Sequence, residues 1–224
     1  MDMSAAITWN KVDQYVTEKL IPHDTVLEQV LEANHNASLP PYDVSPTQGK
    51  FLNLLVQMKG AKRILEIGTL GGYSTIWMAR ALPADGHIVT LELDPRHAQV
   101  ALANLKLAKV ADKVELRVGD ALEQLAQMEA EGVEPFDFIF IDADKPNNPH
   151  YLKWALQFSH AGTVILGDNV IREGEIINGR TEDPRVKGVQ SFYELLAEES
   201  RITATAIQTV GSKGYDGFVI GIVY

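Results

Sequence analysis

From residue 63 onward, short apolar runs alternate with stretches of helical period. The apolar runs are RILEIG (63–68), HIVTLEL (87–93), KVELRVG (113–119), FDFIFID (136–142) and GTVILGD (162–168). Between them lie STIWMARAL (74–82), RHAQVALANLKLA (96–108), ALEQLAQMEA (121–130) and YLKWALQFS (151–159), whose apolar residues recur with helical spacing. Strands separated by helices form βαβ units, so the pattern predicts an α/β fold with a doubly wound, mostly parallel sheet. The end of the chain departs from this rhythm. ITATAIQTV (202–210) and GFVIGIVY (217–224) are separated only by GSKGYD, too little for a crossover helix, and are expected to pair as an antiparallel hairpin. Upstream, Leu20, Val26, Leu27, Val30 and Leu31 fall at helical spacing before Pro40-Pro41, and KFLNLLVQMKG (50–60) predicts another amphipathic helix stopped at Gly60.

Composition narrows the function classes. A chain of 224 residues, 46% hydrophobic, is long enough for one α/β domain with a sizeable core. A formal net charge of −10 argues against binding nucleic acid by bulk attraction. No apolar run approaches the ~20 residues that cross a bilayer. The N-terminus has no basic region followed by an apolar one, so no membrane partner or export is expected. The absence of cysteine excludes disulfides, thiolate metal sites and cysteine nucleophiles, and fits a reducing cytoplasm. The six histidines form no i, i+4 pair and are expected at the surface or in loops, with His150 nearest the chemistry.

The candidate chemistry lies where the strands end, because an open parallel sheet binds ligands beyond the carboxyl ends of its strands. Acids recur there: Glu66, Glu92 with Asp94, Asp120, Asp142 with Asp144, and Asp168. In LEIGTLGGYST, Gly68, Gly71 and Gly72 sit between a strand and a helix. A dinucleotide fingerprint needs G-x-G-x-x-G, but Leu70 and Tyr73 occupy its second and third glycine positions. That weakens a nicotinamide-dependent dehydrogenase. An acid before the glycines and Glu92 closing the next strand suit a cationic nucleoside such as S-adenosylmethionine. Asp142 ends the fourth strand and Asp168-Asn169 the fifth; as neighbours they form either an all-oxygen site for a hard cation or a polar network with Lys145 as counter-ion. Lys145 itself is either a base, with a pKa below the ~10.4 of free lysine, or a surface lysine paired with Asp144.

RILEIGTLGGYSTIWMAR, IVTLELDP, DFIFIDADK and ILGDNV together resemble the metal-dependent O-methyltransferases of the catechol and caffeoyl-CoA type. The resemblance runs from about Val44 to the C-terminus. It implies a seven-stranded Rossmann-like sheet with an antiparallel last pair, in a single domain over 1–224: a helical cap (1–43) and a core (44–224). It also implies roles. Asp142, Asp168 and Asn169 match the ligands of a divalent metal, Mg²⁺ with Mn²⁺ or Ca²⁺ as alternatives. Lys145 matches the general base. Val44, Glu66, Gly68, Gly72, Ser74, Glu92, Ala121 and Asp142 match contacts to S-adenosylmethionine, with Glu66 and the turn at the methionine portion, Glu92 at the ribose and 119–121 at the adenine. The implied activity is methyl transfer to a hydroxyl of a catechol-like phenolic small molecule by a homodimer. The chain departs from many relatives after the lysine: PNNPHYL stands where they continue Asn-Tyr or Arg-Tyr, so that loop, stiffened by its prolines, bears on acceptor shape. Other readings are a same-family enzyme acting on a hydroxylated transfer-RNA nucleoside and a non-catalytic module that keeps the cofactor pocket.

Overall fold

The run FDFIFI forms β4 (Phe136–Ile141), at the centre of a seven-stranded sheet. The computed structural model describes residues 3–224, so the first two residues of the expected cap lie outside it. The other strands are β1 (Arg63–Ile67), β2 (His87–Glu92), β3 (Val114–Val118), β5 (Ser159–Asp168), β6 (Ile202–Gly211) and β7 (Gly214–Val223). Their order is β3-β2-β1-β4-β5-β7-β6, parallel except for β7, which runs antiparallel to β5 and β6. The expected doubly wound sheet with an antiparallel C-terminal hairpin is therefore present. The chain winds outward from β1 to β3, returns to β4 and winds the other way, so the order reverses between β1 and β4. That reversal opens a crevice beyond the carboxyl ends of both strands.

Helices α2 (Thr25–Asn36), α3 (Pro46–Lys59), α4 (Tyr73–Ala79) and α5 (Pro95–Leu107) cover one face. Helices α6 (Ala121–Ala130), α7 (Asn148–Gln157) and α8 (Pro184–Glu198) cover the other. The central strands β1, β2 and β4 are mostly apolar because both of their faces are buried. Leu65, Ile67, Ile139 and Ile141 pack on Leu125, Leu152 and Phe192. Ile64, Ile88, Phe138 and Phe140 pack on Leu52, Val56, Ile76 and Met78. Full burial stabilises each such side chain by about 1.5–3 kcal/mol. The first helix, α1 (Met3–Leu20), lies against α3 and the edge strand β6. Polar side chains start the helices: Ser45 accepts from Gln48 N–H at 3.2 Å, Asp94 from Arg96 N–H at 2.8 Å and Asp120 from Leu122 N–H at 2.9 Å. Two of the strand-end acids, Asp94 and Asp120, thus serve as helix caps.

Several boundaries differ from expectation, and the helix expected at 74–82 ends at Ala79. The helix expected at 151–159 begins at Asn148, and the strand expected at 162 begins at Ser159. Pro149 sits in the first turn of α7, where its missing N–H costs nothing, and residue 159 joins β4 through a register shift between Phe136 and Phe138. Pro146 likewise lies in the first turn of a 3₁₀ segment, Lys145–Asn147. These prolines therefore fix the first turns of two helical segments within the PNNPHYL loop. The six-residue hairpin connection shrinks to Ser212-Lys213, because Gly214 takes φ 90° and Asp13 of α1 accepts the Ser212 N–H at 2.8 Å.

Gly188 of α8 lies directly against the segment that carries Lys145. A Cβ there would overlap the Lys145 carbonyl and come 2.7 Å from Pro146 Cα. Gly188→Ala is expected to destabilise the protein by about 1–3 kcal/mol in urea denaturation; an unchanged midpoint would contradict this packing.

Candidate active site

The crevice is shaped first by Gly68, which follows β1 at φ 103°. A Cβ at this position would overlap the carbonyl of Asp142, which follows β4. Glycine is required twice over, for its backbone angle and for this close approach. One residue before the end of β1, Glu66 is completely buried. Ser74 Oγ donates to its Oε1 at 2.6 Å, while Thr75 and Thr90 donate to Oε2 at 2.5 and 2.7 Å. Burial pushes its pKa up to about 7 against the pull of these three hydroxyls, and the charge of Asp142 adds to the rise. Glu66 and Ser74 are thus joined directly.

Glu92 ends β2, with Oε2 accepting from Leu70 N–H at 2.7 Å and Oε1 from Asp94 N–H at 2.9 Å. Leu70 holds φ 51°, so the position that breaks the dinucleotide fingerprint still adopts the left-handed backbone glycine would take. His97 Nδ1 lies 3.4 Å from Glu92 Oε1, which makes this half-buried histidine part of the site's surroundings and corrects its assignment to the surface. Gly72, at φ 83°, precedes α4 and packs on Ala101, while Val44 is buried just ahead of α3. Ala121 opens α6 beyond β3, farther along the same sheet edge. Asn34 of α2 seals the glycine turn: Asn104 Nδ2 donates to its Oδ1 at 2.9 Å and to Gly71 O at 2.8 Å.

Asp142 and Asp168 emerge side by side, because Ile141 pairs with Gly167 in parallel register. Adjacent strands lie about 4.8 Å apart. Lys145 Nζ donates to Asp142 Oδ1 at 2.9 Å from a side chain only 8% exposed. Pairing of Lys145 with Asp144 is therefore ruled out; Asp144 instead accepts from Tyr151 OH, and from Asn147 Nδ2 at 2.7 Å. Burial and the Asp144 carboxylate push the Tyr151 hydroxyl well above its ordinary pKa. Asp168 is buried, and its pKa rises through burial and the charge of Asp142; Lys145, Asn169 N–H and Gln48 oppose the rise. Asn169 adopts φ 54°, a left-handed angle that asparagine tolerates better than most residues. Among the described residues, no group of three His, Cys, Asp or Glu could hold a metal ion. Asp142 and Asp168 bring two carboxylates to neighbouring strand ends, Asn169 follows Asp168 directly, and Lys145 pairs with Asp142.

Two residues at this site escape a reading of local pattern. Gln48 Nε2 donates to Asp168 Oδ2 at 2.6 Å. Asp216 accepts from Ile171, Arg172 and Gly217 N–H at 2.9, 3.1 and 2.9 Å, pinning the left-handed run that follows Asn169. The only local signals are the Ser-x-x-Gln spacing at 45–48 and the Asp-Gly pair at 216–217. Two cavities flank the centre: about 470 Å³ between α2 and α5 beside His97, and about 660 Å³ between Ile171, Tyr193 and Gln208.

A doubly wound sheet whose switch point pairs a glycine turn with strand-end acids defines an α/β protein that binds a nucleoside cofactor there. Residues 17–217 match the family model described as O-methyltransferase, and the chain belongs to that family. It is 46% identical over 215 residues to a catechol O-methyltransferase of Niastella koreensis, covering 96% of this chain and 97% of that one. A caffeoyl-CoA O-methyltransferase of Eucalyptus gunnii is 32% identical over 196 residues, covering 85% and 78%. The crystal structure of an O-methyltransferase from Bacillus cereus in complex with SAH superposes with a TM-score of 0.97 at 61% identity, over 98% of this chain and 100% of that one. The protein is thus an S-adenosylmethionine-dependent O-methyltransferase of the catechol and caffeoyl-CoA type, which sets aside the dehydrogenase and the non-catalytic module.

The raised pKa of Glu66 has a consequence for stability. Between its ordinary value of 4.5 and about 7, the native state binds more protons than the unfolded chain, so this contribution is present below 4.5 and lost as pH rises through 7. Glu66→Gln removes that dependence. Between pH 5 and pH 8, the native protein should lose on the order of 2 kcal/mol more unfolding free energy than the variant. Parallel losses in urea titrations at the two pH values would refute the assignment.

Proposed function

We propose that this chain is a divalent-metal-dependent enzyme that methylates one hydroxyl of a catechol-like, vicinal dihydroxy small molecule. The observation that carries this reading is the Asp142–Asp168 pair, side by side at the switch point with Lys145 bonded to one of them. Asp142, Asp168 and Asn169 would hold Mg²⁺, or Mn²⁺ or Ca²⁺ in its place. When bound, such an ion lowers the pKa of an acceptor hydroxyl as a Lewis acid.

Val44, Glu66, Gly68, Gly72, Ser74, Glu92, Ala121 and Asp142 form the S-adenosylmethionine site of this proposal. The glycines permit close backbone approach and the carboxylates match the cationic donor. Lys145, enclosed and 2.9 Å from Asp142 Oδ1, acts as general base in the neutral form that has given up its own ammonium proton, and takes the acceptor's proton in its place. Transfer exchanges the S–CH3 bond of the donor for an O–CH3 bond, and most of the rate gain comes from alignment of the two reactants. Names of relatives support a phenolic acceptor. We further propose one domain, with residues 1–43 capping the 44–224 core, in a cytoplasmic homodimer. The absence of cysteine fits a reducing compartment. Exposed apolar side chains on α1 and α3, including Val12, Tyr15, Leu20 and Met58, support a self-associating surface.

Asp142→Ala is expected to abolish methyl transfer and its dependence on divalent ions while the fold persists by circular dichroism; undiminished turnover after EDTA treatment would refute the metal assignment. Lys145→Ala should lower kcat by about 10²–10⁴-fold, the usual range for a general base, with metal affinity little changed. An unaltered rate and pH profile would remove Lys145 from the reaction. The acceptor is tested with labelled S-adenosylmethionine against vicinal diphenols and transfer RNA. Turnover of RNA alone would replace the small-molecule reading.

A further inference from the structure

Gln48 occupies the third position of α3, after the cap Ser45. Ser-x-x-Gln is the spacing of a capping box, in which the glutamine side chain turns back to the N–H of the capping residue. Ser45 makes its half of the arrangement, accepting from Gln48 N–H at 3.2 Å. The Gln48 side chain instead donates to Asp168 Oδ2 at 2.6 Å, 120 residues away in sequence. A helix start has given up its local partner to hold a buried carboxylate.

We propose that Gln48 is a positioning residue for the cation site, fixing the orientation of Asp168 before an ion binds. The inference rests on the metal-dependent reading above. Asp168 is buried beside a like charge, and burial leaves it few groups to orient it. A neutral amide suits this position, since it donates one hydrogen bond yet brings no positive charge to compete with a cation, as lysine or arginine would. The platform is rigid as well. Leu52 and Val56 of α3 are core residues, Asn53 Nδ2 donates to Trp77 O at 2.8 Å, and Gly49 packs on the Trp77 ring. Because Val44 immediately precedes Ser45, one short segment carries both a proposed cofactor contact and the support of a proposed metal ligand.

Mn²⁺ binding followed by electron paramagnetic resonance tests this on the full chain, comparing the native protein with Gln48→Met, Gln48→Asn and Asp168→Asn. Methionine keeps the length and removes the donor; asparagine keeps the donor and withdraws it by one methylene, and guards against misfolding of the first variant. Both Gln48 variants should bind Mn²⁺ about 10–100-fold more weakly, the usual effect of removing a group that orients a ligand. Affinity for S-adenosylhomocysteine, measured by calorimetry, should be preserved. The metal concentration for half-maximal rate should rise by a larger factor than kcat falls. Native-like Mn²⁺ affinity in both variants, or a fall in kcat with affinity unchanged, would overturn the role of Gln48. If the native protein and Asp168→Asn bind Mn²⁺ equally, the cation site itself has failed.

Discussion

Asp142 and Asp168 cannot separate. They leave adjacent parallel strands at matching register, and the ladders of β4 and β5 hold their backbones about one strand spacing apart. Like charges this close disfavour each other, and the raised pKa of Asp168 follows from burial together with the charge of Asp142. The protein carries that repulsion at the one place where a doubly wound sheet opens to a ligand. Glu66, two residues before Gly68, adds a third carboxyl to the same neighbourhood. The surrounding architecture compensates this concentration of negative charge.

Much of the compensation comes from neutral donors. Glu66 receives three hydroxyls, Glu92 two backbone N–H groups and Asp168 an amide. Lys145 is the cation bonded to Asp142. Neutral donors hold carboxylates in place without cancelling their charge, so an edge built this way stays attractive to cationic ligands. A sulfonium donor and a divalent ion are both of that kind. The backbone strain lies in the same region: Leu70 and Asn169 take left-handed angles, with Leu70 N–H held by Glu92 and the next residue after Asn169, Val170, held by Gly217 O.

The N-terminal segments do more than cover apolar surface. Asn34 of α2 meets Asn104 beside the glycine turn, Asp13 of α1 holds the hairpin tip, and Lys213 Nζ reaches Pro41 O at 3.1 Å. With Gln48 on Asp168, these contacts tie the first fifty residues to both halves of the crevice. The loop between α2 and α3 and the β6–β7 hairpin consequently form one connected rim.

The order of strands and helices, the antiparallel last pair and the strand-end positions of Glu66, Glu92, Asp142 and Asp168 all follow from residue pattern. An apolar run of strand length flanked by helical period has few other ways to bury both faces. Motif resemblance adds which of those acids belong to one chemistry. Pattern did not settle which acids merely cap helices, since Asp94 and Asp120 occupy strand ends just as Asp142 does. Nor did it settle the partner of Lys145, because Asp144 adjoins it and Asp142 stands three residues away, and only the turn geometry selects the more distant one. The contacts of Gln48, His97 and Asp216 were decided by tertiary structure alone. Each acts on a group brought to it by sheet register or helix packing, and contacts of that kind leave no periodic trace in a chain.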